Sequence, residues 1–327
     1  MKQKIVVYNR LEAPVLHKLQ EKYEVHFFKD INTKTDPDFI AHLAGADALI
    51  GLELPVDREL LDHAPNVKIV SNVSVGYNNL DIDELTKRGI MATNTPGILT
   101  DTVADTMMTI LLSTARRVPE LDHWVKQGDW EKMIEVEHYG IDVHHKTLGI
   151  IGMGRIGEAI AQRAHFGFDM DILYHNRSRK PEVEEKFNAT YCDLDDLLMQ
   201  ADFICLMTPL TPETTGLLGE REFKLMKQSA IFINGSRGKT IVEADLIEAL
   251  QNGEIAAAGL DVFEEEPVHP DNPLLKMKNV ITVPHIGSST WETELKMSEL
   301  AAHNLELGLE GKCPPNLINK RVWEMQK

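Results

Sequence analysis

Three residues in the second half of the chain have the types and the spacing to act on a carbonyl group: Arg237, Glu266 and His285. Each follows a short apolar run of strand character. AIFIN precedes Gly235-Ser236-Arg237-Gly238, AAGLDV precedes Phe263-Glu264-Glu265-Glu266-Pro267, and NVITV precedes Pro284-His285-Ile286-Gly287. Open α/β sheets bind ligands outside the carboxyl ends of their strands, so residues just past successive strands are expected to converge on one crevice. Reducing a ketone puts negative charge on its oxygen, which calls for a cation and a proton donor beside it. His285 is suited to give the proton, Glu266 to orient the imidazole and favour its charged form, and Arg237 to offer a planar fork to a carboxylate and the carbonyl oxygen. A lone histidine after a strand is more often structural. The functional reading rests on three strand ends delivering a complete set.

A hydride source is written further upstream. Gly152-Met153-Gly154-Arg155-Ile156-Gly157 follows the strand-like TLGII and opens a helical pattern, the context in which a GxGxxG spacing carries weight. The first glycine permits a tight turn, the second admits a pyrophosphate close to the backbone, and the third lets helix and strand pack. Arg155 and Ile156 then stand at a helix start suited to an anion. The next strand ends in Tyr174-His175-Asn176-Arg177-Ser178-Arg179-Lys180, with no acid where an NAD-selective site would offer one to the ribose. Arg177 lies 20 positions after Gly157. With Asn176, Ser178 and Arg179 it is expected to clasp a 2′-phosphate, so NADP(H) is the preferred cofactor and NAD(H) a possible one. A basic solvated loop is the alternative reading.

The elements that must position these residues alternate, strand then helix, along nearly the whole sequence, which predicts an α/β protein with parallel sheets. KIVVYN, YEVHFF, ALIGL, KIVSN and IMATN give a five-stranded, flavodoxin-like first domain. TLGIIG, DILYHN, DFICLM, AIFIN, AAGLDV and NVITV give the six strands of a Rossmann-type, doubly wound dinucleotide-binding domain. A helical pattern from Asp101 through DTVADTMMTILLSTARRV is expected to bridge the two, and MSELAAHNLELGLEG to return to the first. The division is therefore 1–101 with 289–327 for a discontinuous substrate domain, and 102–288 for the dinucleotide domain.

Lys and Arg number 34 against 51 Asp and Glu, for a formal charge of −17. Such a field repels nucleic acid and anionic membranes, and obliges any anionic substrate to be caught by a local cluster of arginine and backbone amides. Cys192, Cys205 and Cys313 are odd in number and lack CxxC spacing, which suits reduced residues. With no leader-like start and no run of 18 apolar residues, a cytoplasmic protein is expected. His144 and His145 are adjacent and lack accompanying ligands, so no metal site is expected.

NGSRG, GLDVFEEEP and PHIGSST, spaced as they are after GMGRIG, resemble the D-isomer-specific 2-hydroxyacid dehydrogenase family over essentially the whole chain. SVGYNN, TVADT, STARRV, YGIDVHHKTLGIIGMGRIG and AQRAHFGF are similar to its glyoxylate/hydroxypyruvate reductase branch, which also reduces 2-ketogluconate. The resemblance implies a D-specific reductase of small 2-keto acids in which Arg237, Glu266 and His285 are catalytic. It further implies that Asp261 holds the nicotinamide carboxamide and that the amides of Val75 and Gly76 take the substrate carboxylate. Thr106, Thr208, Pro209, Thr214, Asn234, Gly235, Ser236 and Gly287 match cofactor-lining positions; ordinary capping and turn chemistry is the other reading of them. Leu52, in the Gly51–Pro55 loop with Glu53, matches a substrate-facing position. The segment holding Trp124 and Trp130 corresponds to a two-fold dimer interface, so a homodimer is expected. Formate dehydrogenases carry Gln where Glu266 stands, and phosphoglycerate dehydrogenases are disfavoured by Arg177. A nucleotide-sensing corepressor of the same fold is the non-enzymatic alternative.

Overall fold

The computed structural model of the chain describes residues 2–30 and 36–325. Strands and helices gather into two compact units, Met1–Leu99 with Ser289–Lys327, and Thr100–Ser288.

In the first unit β1 (Lys4–Tyr8), β2 (Glu24–Phe28), β3 (Ala48–Gly51), β4 (Ile69–Asn72) and β5 (Met91–Thr93) form a parallel sheet in the order β2-β1-β3-β4-β5, that of flavodoxin-like folds. β3 and β4 are buried at every residue, as central parallel strands covered by helices on both faces must be; of the two edge strands, β2 is partly exposed, whereas β5 is buried and Thr93 bridges to Leu317. Gly51 ends β3 because a Cβ there would lie 2.2 Å from the Tyr8 carbonyl oxygen. The chain returns to this sheet through the helix Trp291–Leu309, whose N-cap Thr290 accepts from the Thr293 amide. Ser71 on β4 donates its hydroxyl to the Ala301 carbonyl at 2.7 Å, and the helix closes on the sheet where Gly308 presents no side chain to Ile69.

The second unit holds β6 (Thr147–Ile151), β7 (Asp171–His175), β8 (Thr190–Tyr191), β9 (Phe203–Leu206), β10 (Ile231–Asn234), β11 (Ala257–Leu260) and β12 (Val280–Thr282). All are parallel, in the order β12-β11-β10-β9-β6-β7-β8. This is the doubly wound dinucleotide order with its switch point between β6 and β9, where the chain reverses direction across the sheet. The sheet has one strand more than the periodicity predicts. β8 is two residues long, too short to show a pattern, and is held at the edge by pairing with Leu173 and Tyr174. The helix Thr100–Arg116 covers β10 and β11, and it approaches closely because Gly235 and Gly259 leave room for Met107 and Ile110. Among the described residues no helix is long and apolar enough to cross a membrane.

Candidate active site

The turn after β6 gives each of its glycines a separate physical reason. Gly152 has φ +100, and a Cβ on it would meet the backbone of Met207 and Thr208 past β9 at 2.8–2.9 Å. At Gly157 a Cβ would lie 2.5 Å from the Gly152 carbonyl oxygen, so only glycine lets the helix Arg155–Phe168 sit against the strand end. Gly154 is the opposite case, since a Cβ there would meet nothing within 4 Å. Its bare backbone borders open space at the start of a 14-residue helix, where amides lack carbonyl partners and favour an anion. The Thr208 hydroxyl at the same switch point is buried and has no partner among the described residues. A dinucleotide pyrophosphate fits this cradle.

At the end of β7, Asn176 donates to the Ser178 carbonyl at 3.2 Å and organises the loop. Arg177 and Ser178 are exposed. Arg179 is exposed too, but its guanidinium is paired with Glu184. Thr214 closes the Pro209–Thr214 loop on itself, donating to the Pro209 carbonyl at 2.6 Å and accepting from the Thr211 amide at 2.8 Å.

The catalytic candidates come together in the second unit. His285 Nδ1 lies 2.8 Å from Glu266 Oε2, and Glu266 Oε1 accepts the Phe263 amide at 2.9 Å, so both carboxylate oxygens are occupied and the ring is oriented. The hydrogen bond that His285 donates to Glu266 raises the His285 pKa above its ordinary 6.5; burial and the Arg237 charge oppose this, while the Glu266 and Asp261 charges assist. Burial pushes the Glu266 carboxyl up, but the bonds from His285 and Phe263 and the charges of His285 and Arg237 outweigh it and hold the carboxyl low. Both shifts act in the same sense, toward a charged imidazolium beside a charged carboxylate. With side chains 39% and 36% exposed, the pair remains within reach of a ligand.

Backbone interactions fix where His285 stands. It adopts φ +52, a left-handed conformation that a non-glycine residue keeps only when its surroundings hold it there. Asp261, buried just past β11, supplies that hold: Oδ1 accepts the Ile286 amide at 2.7 Å, Oδ2 the Gly287 amide at 2.9 Å, and its carbonyl the His285 amide at 2.9 Å. Burial raises the Asp261 pKa, partly offset by these amides and the His285 charge. Thr106 donates its hydroxyl to the Gly287 carbonyl at 3.1 Å, tying the same loop to the helix Thr100–Arg116. For Thr106, Thr214 and Asp261 the structure thus shows loop-building hydrogen bonds.

The Arg237 turn is built from buried hydroxyls. Asn234 Oδ1 accepts from the Ser236 amide at 3.1 Å, Ser236 and Thr240 hydroxyls pair at 2.8 Å, and Thr240 donates to the Arg237 carbonyl at 2.6 Å. Thr240 and Gly238 went unrecognised in the sequence reading. Gly238 is pressed so closely on the Phe263 backbone that a Cβ would overlap it, which joins the β10 and β11 loops and brings Arg237 beside Glu266. Glu243 was also missed; it accepts the Glu264 amide at 2.9 Å and the Asn272 side chain at 2.7 Å, anchoring the acidic loop. A glycine directly after the arginine is the one sequence signal that pointed to this close approach.

In the first unit the loop after β4 turns its carbonyls inward. Asn72 donates to the Gly76 carbonyl and Asn94 to the Val75 carbonyl, each at 2.8 Å, and Ser74 also donates to Gly76. Among the described residues the Val75 and Gly76 amides have no acceptor. Leu52 is half-buried, its carbonyl held by Asn9 at 3.0 Å, and Glu53 is exposed with φ +62.

A model of the NAD-binding domain of D-isomer specific 2-hydroxyacid dehydrogenases matches residues 108–287. Glyoxylate/hydroxypyruvate reductase B of Escherichia coli is 52% identical over 98% of this chain and 99% of its own length. An NADPH-dependent glyoxylate/hydroxypyruvate reductase from Sinorhizobium meliloti, crystallised with NADP and malonate, is similar at TM-score 0.88 and 32% identity over 97% of each chain. D-lactate dehydrogenase from Aquifex aeolicus, complexed with NAD and lactic acid, gives TM-score 0.86 at 26% identity over 96% of this chain and 99% of that one.

Two measurements follow from the geometry. Gly154→Ala should retain the wild-type thermal midpoint yet weaken dinucleotide binding, whereas Gly157→Ala should lose about 1–3 kcal/mol in urea unfolding through overpacking as well as binding. Equal stability losses in the two variants would contradict the assignment of the glycines. A reductase that takes its proton from His285 should run at full rate at low pH and slow as pH rises through a value above 6.5. Glu266→Gln should move that fall to lower pH; a limb left where it was would show that Glu266 does not govern the imidazole.

Proposed function

The chain belongs to the D-isomer specific 2-hydroxyacid dehydrogenase family and is an NAD(P)-dependent oxidoreductase, and from that premise we propose that it reduces glyoxylate, hydroxypyruvate and 2-ketogluconate to D-2-hydroxy acids, preferring NADPH. The observation that carries the reading is the 2.8 Å His285–Glu266 pair with Arg237 beside it, at the ends of adjacent strands of the dinucleotide-binding sheet.

The reduced nicotinamide, when bound, supplies the hydride. Arg237 presents its fork to the substrate carboxylate and carbonyl oxygen, where its charge stabilises the developing alkoxide. His285 keeps Nδ1–H donated to Glu266 and gives the Nε2 proton to the carbonyl oxygen. In the reverse direction the same nitrogen accepts the proton. Asp261, with lone pairs left beyond the two it gives to backbone amides, holds the nicotinamide carboxamide. The Val75 and Gly76 amides take the substrate carboxylate, and Leu52 faces the substrate. Gly152, Gly154, Arg155, Ile156 and Gly157 line the pyrophosphate, and Arg177 with Ser178 carries the choice of NADPH. Thr208, Pro209, Asn234, Gly235, Ser236 and Gly287 complete the cofactor site. The D configuration rests on family membership.

We further propose a homodimer built on residues 118–141. Met133 is 84%, Val136 76% and Trp130 60% exposed, so large apolar side chains crowd the exposed part of this one segment. The cytoplasm, where Cys192, Cys205 and Cys313 stay as free thiols, is the compartment that suits the chain.

Oxidation of NADPH and NADH at 340 nm with the three acids tests the activity. Turnover should favour NADPH, fall by about 10²–10⁴ in His285→Ala, and shift toward NADH in Arg177→Asp. Nucleotide binding without turnover of any of the three acids would overturn the proposed substrate class. Light scattering should find a dimer for the wild type and a monomer for Met133→Glu/Val136→Glu, and a monomeric wild type would end the dimer proposal.

A further inference from the structure

The preference for NADPH places a 2′-phosphate at the end of β7, yet side chains there are already paired with one another. Arg179 donates Nε to Glu184 Oε1 at 3.1 Å and Nη2 to Oε2 at 2.6 Å, a two-point match of guanidinium to carboxylate. The Tyr174 hydroxyl donates to the same Oε1 at 2.7 Å and itself accepts the Lys180 amide at 2.7 Å, so the far side of Glu184 is fixed to a fully buried ring. The Arg179 guanidinium also lies over the Tyr191 ring, 5.9 Å from its centroid. These bonds hold the Glu184 carboxyl below the usual carboxylate range, so the pair is charged at neutral pH. Arg177, two residues earlier, is exposed and makes no hydrogen bond among the described residues.

A planar fork matched to a carboxylate has already committed the geometry with which it would grip a phosphate, and the carboxylate charge cancels its attraction for other anions. Tyr174 holds Glu184 in place, and the Tyr191 ring lies beside the guanidinium. Glu184 has no part in the proposed chemistry. We propose that Glu184 is a specificity-determining residue that withholds Arg179 from the 2′-phosphate. The consequence is a weaker discrimination between the two dinucleotides than three basic-loop side chains would otherwise give, leaving NADH usable. This rests on the NADPH reading of the β7 loop.

Calorimetric titration of the whole enzyme at low ionic strength with adenosine 2′,5′-bisphosphate and with 5′-AMP isolates the 2′-phosphate. Glu184→Gln keeps an acceptor for Tyr174 while removing the charge. It should tighten the bisphosphate about three- to fivefold, the scale of one exposed ion pair released, and leave 5′-AMP unchanged. Adding Arg179→Met should abolish the gain, and Arg179→Met alone should leave both affinities as in wild type. A loss of about tenfold for the bisphosphate in Arg179→Met would overturn the assignment. So would a Glu184→Gln enzyme that binds 5′-AMP normally without the gain. If Glu184→Gln loses both ligands, Arg179→Met decides alone by the same criterion. Equal wild-type affinity for the two nucleotides, with Arg177→Met silent, would bring down the NADPH reading instead; a gain in Glu184→Gln would still support the withholding of Arg179.

Discussion

The buried carboxylate of Asp261 provides the interaction on which the candidate site depends. Three backbone amides, of His285, Ile286 and Gly287, end on this one residue, two on its side chain and one on its carbonyl. A buried carboxylate without such donors would be costly. With them it becomes a rigid receptor for a loop that must carry a histidine in a left-handed conformation. Gly287 is required by the same receptor, because a Cβ on it would lie 2.9 Å from Asp261 Oδ2. His285 thus takes its place from β11 as much as from the strand it follows.

A second constraint is close backbone approach. Gly152 against Met207 and Thr208 and Gly238 against Phe263 each remove a side chain where two loops at the carboxyl edge of the sheet must touch, and Gly157 against Gly152 does so where a helix meets the strand end. Parallel strands deliver loops to one edge, but only small residues there allow the loops to share a site. Gly154 meets open space instead, so no packing contact asks for the absence of its side chain, which sets it apart from the packing glycines on geometric grounds.

Electrostatics works against the long-range field. A chain of formal charge −17 in an NAD(P)-dependent family needs local positive potential, and in the proposed site Arg237, Arg177 and the Val75 and Gly76 amides, which have no acceptor among the described residues, would supply it. Carboxylates near these cations are therefore informative. Glu266 is matched to His285 and Glu184 to Arg179, so neither stands as an uncompensated negative charge in an anion site.

By itself the sequence determined the α/β class, the two sheets with β1 to β5 in one and most of β6 to β12 in the other, the glycine turn, and Arg237, Glu266 and His285 as a set. These are carried by local signals: apolar periodicity, a fixed glycine spacing, and polar residues directly after strands. Tertiary structure alone decided the rest. β8 exists only through its pairing with β7, since two residues have no pattern of their own. Thr240, Gly238 and Glu243 shape the site through partners up to 29 residues away, as in the Glu243–Asn272 bond, a distance that periodicity cannot register. Arg177 and Arg179 read alike as neighbouring arginines in a basic loop, and only the fold, by setting Glu184 one helical turn beyond and Tyr174 beneath it, made one of them paired and left the other exposed.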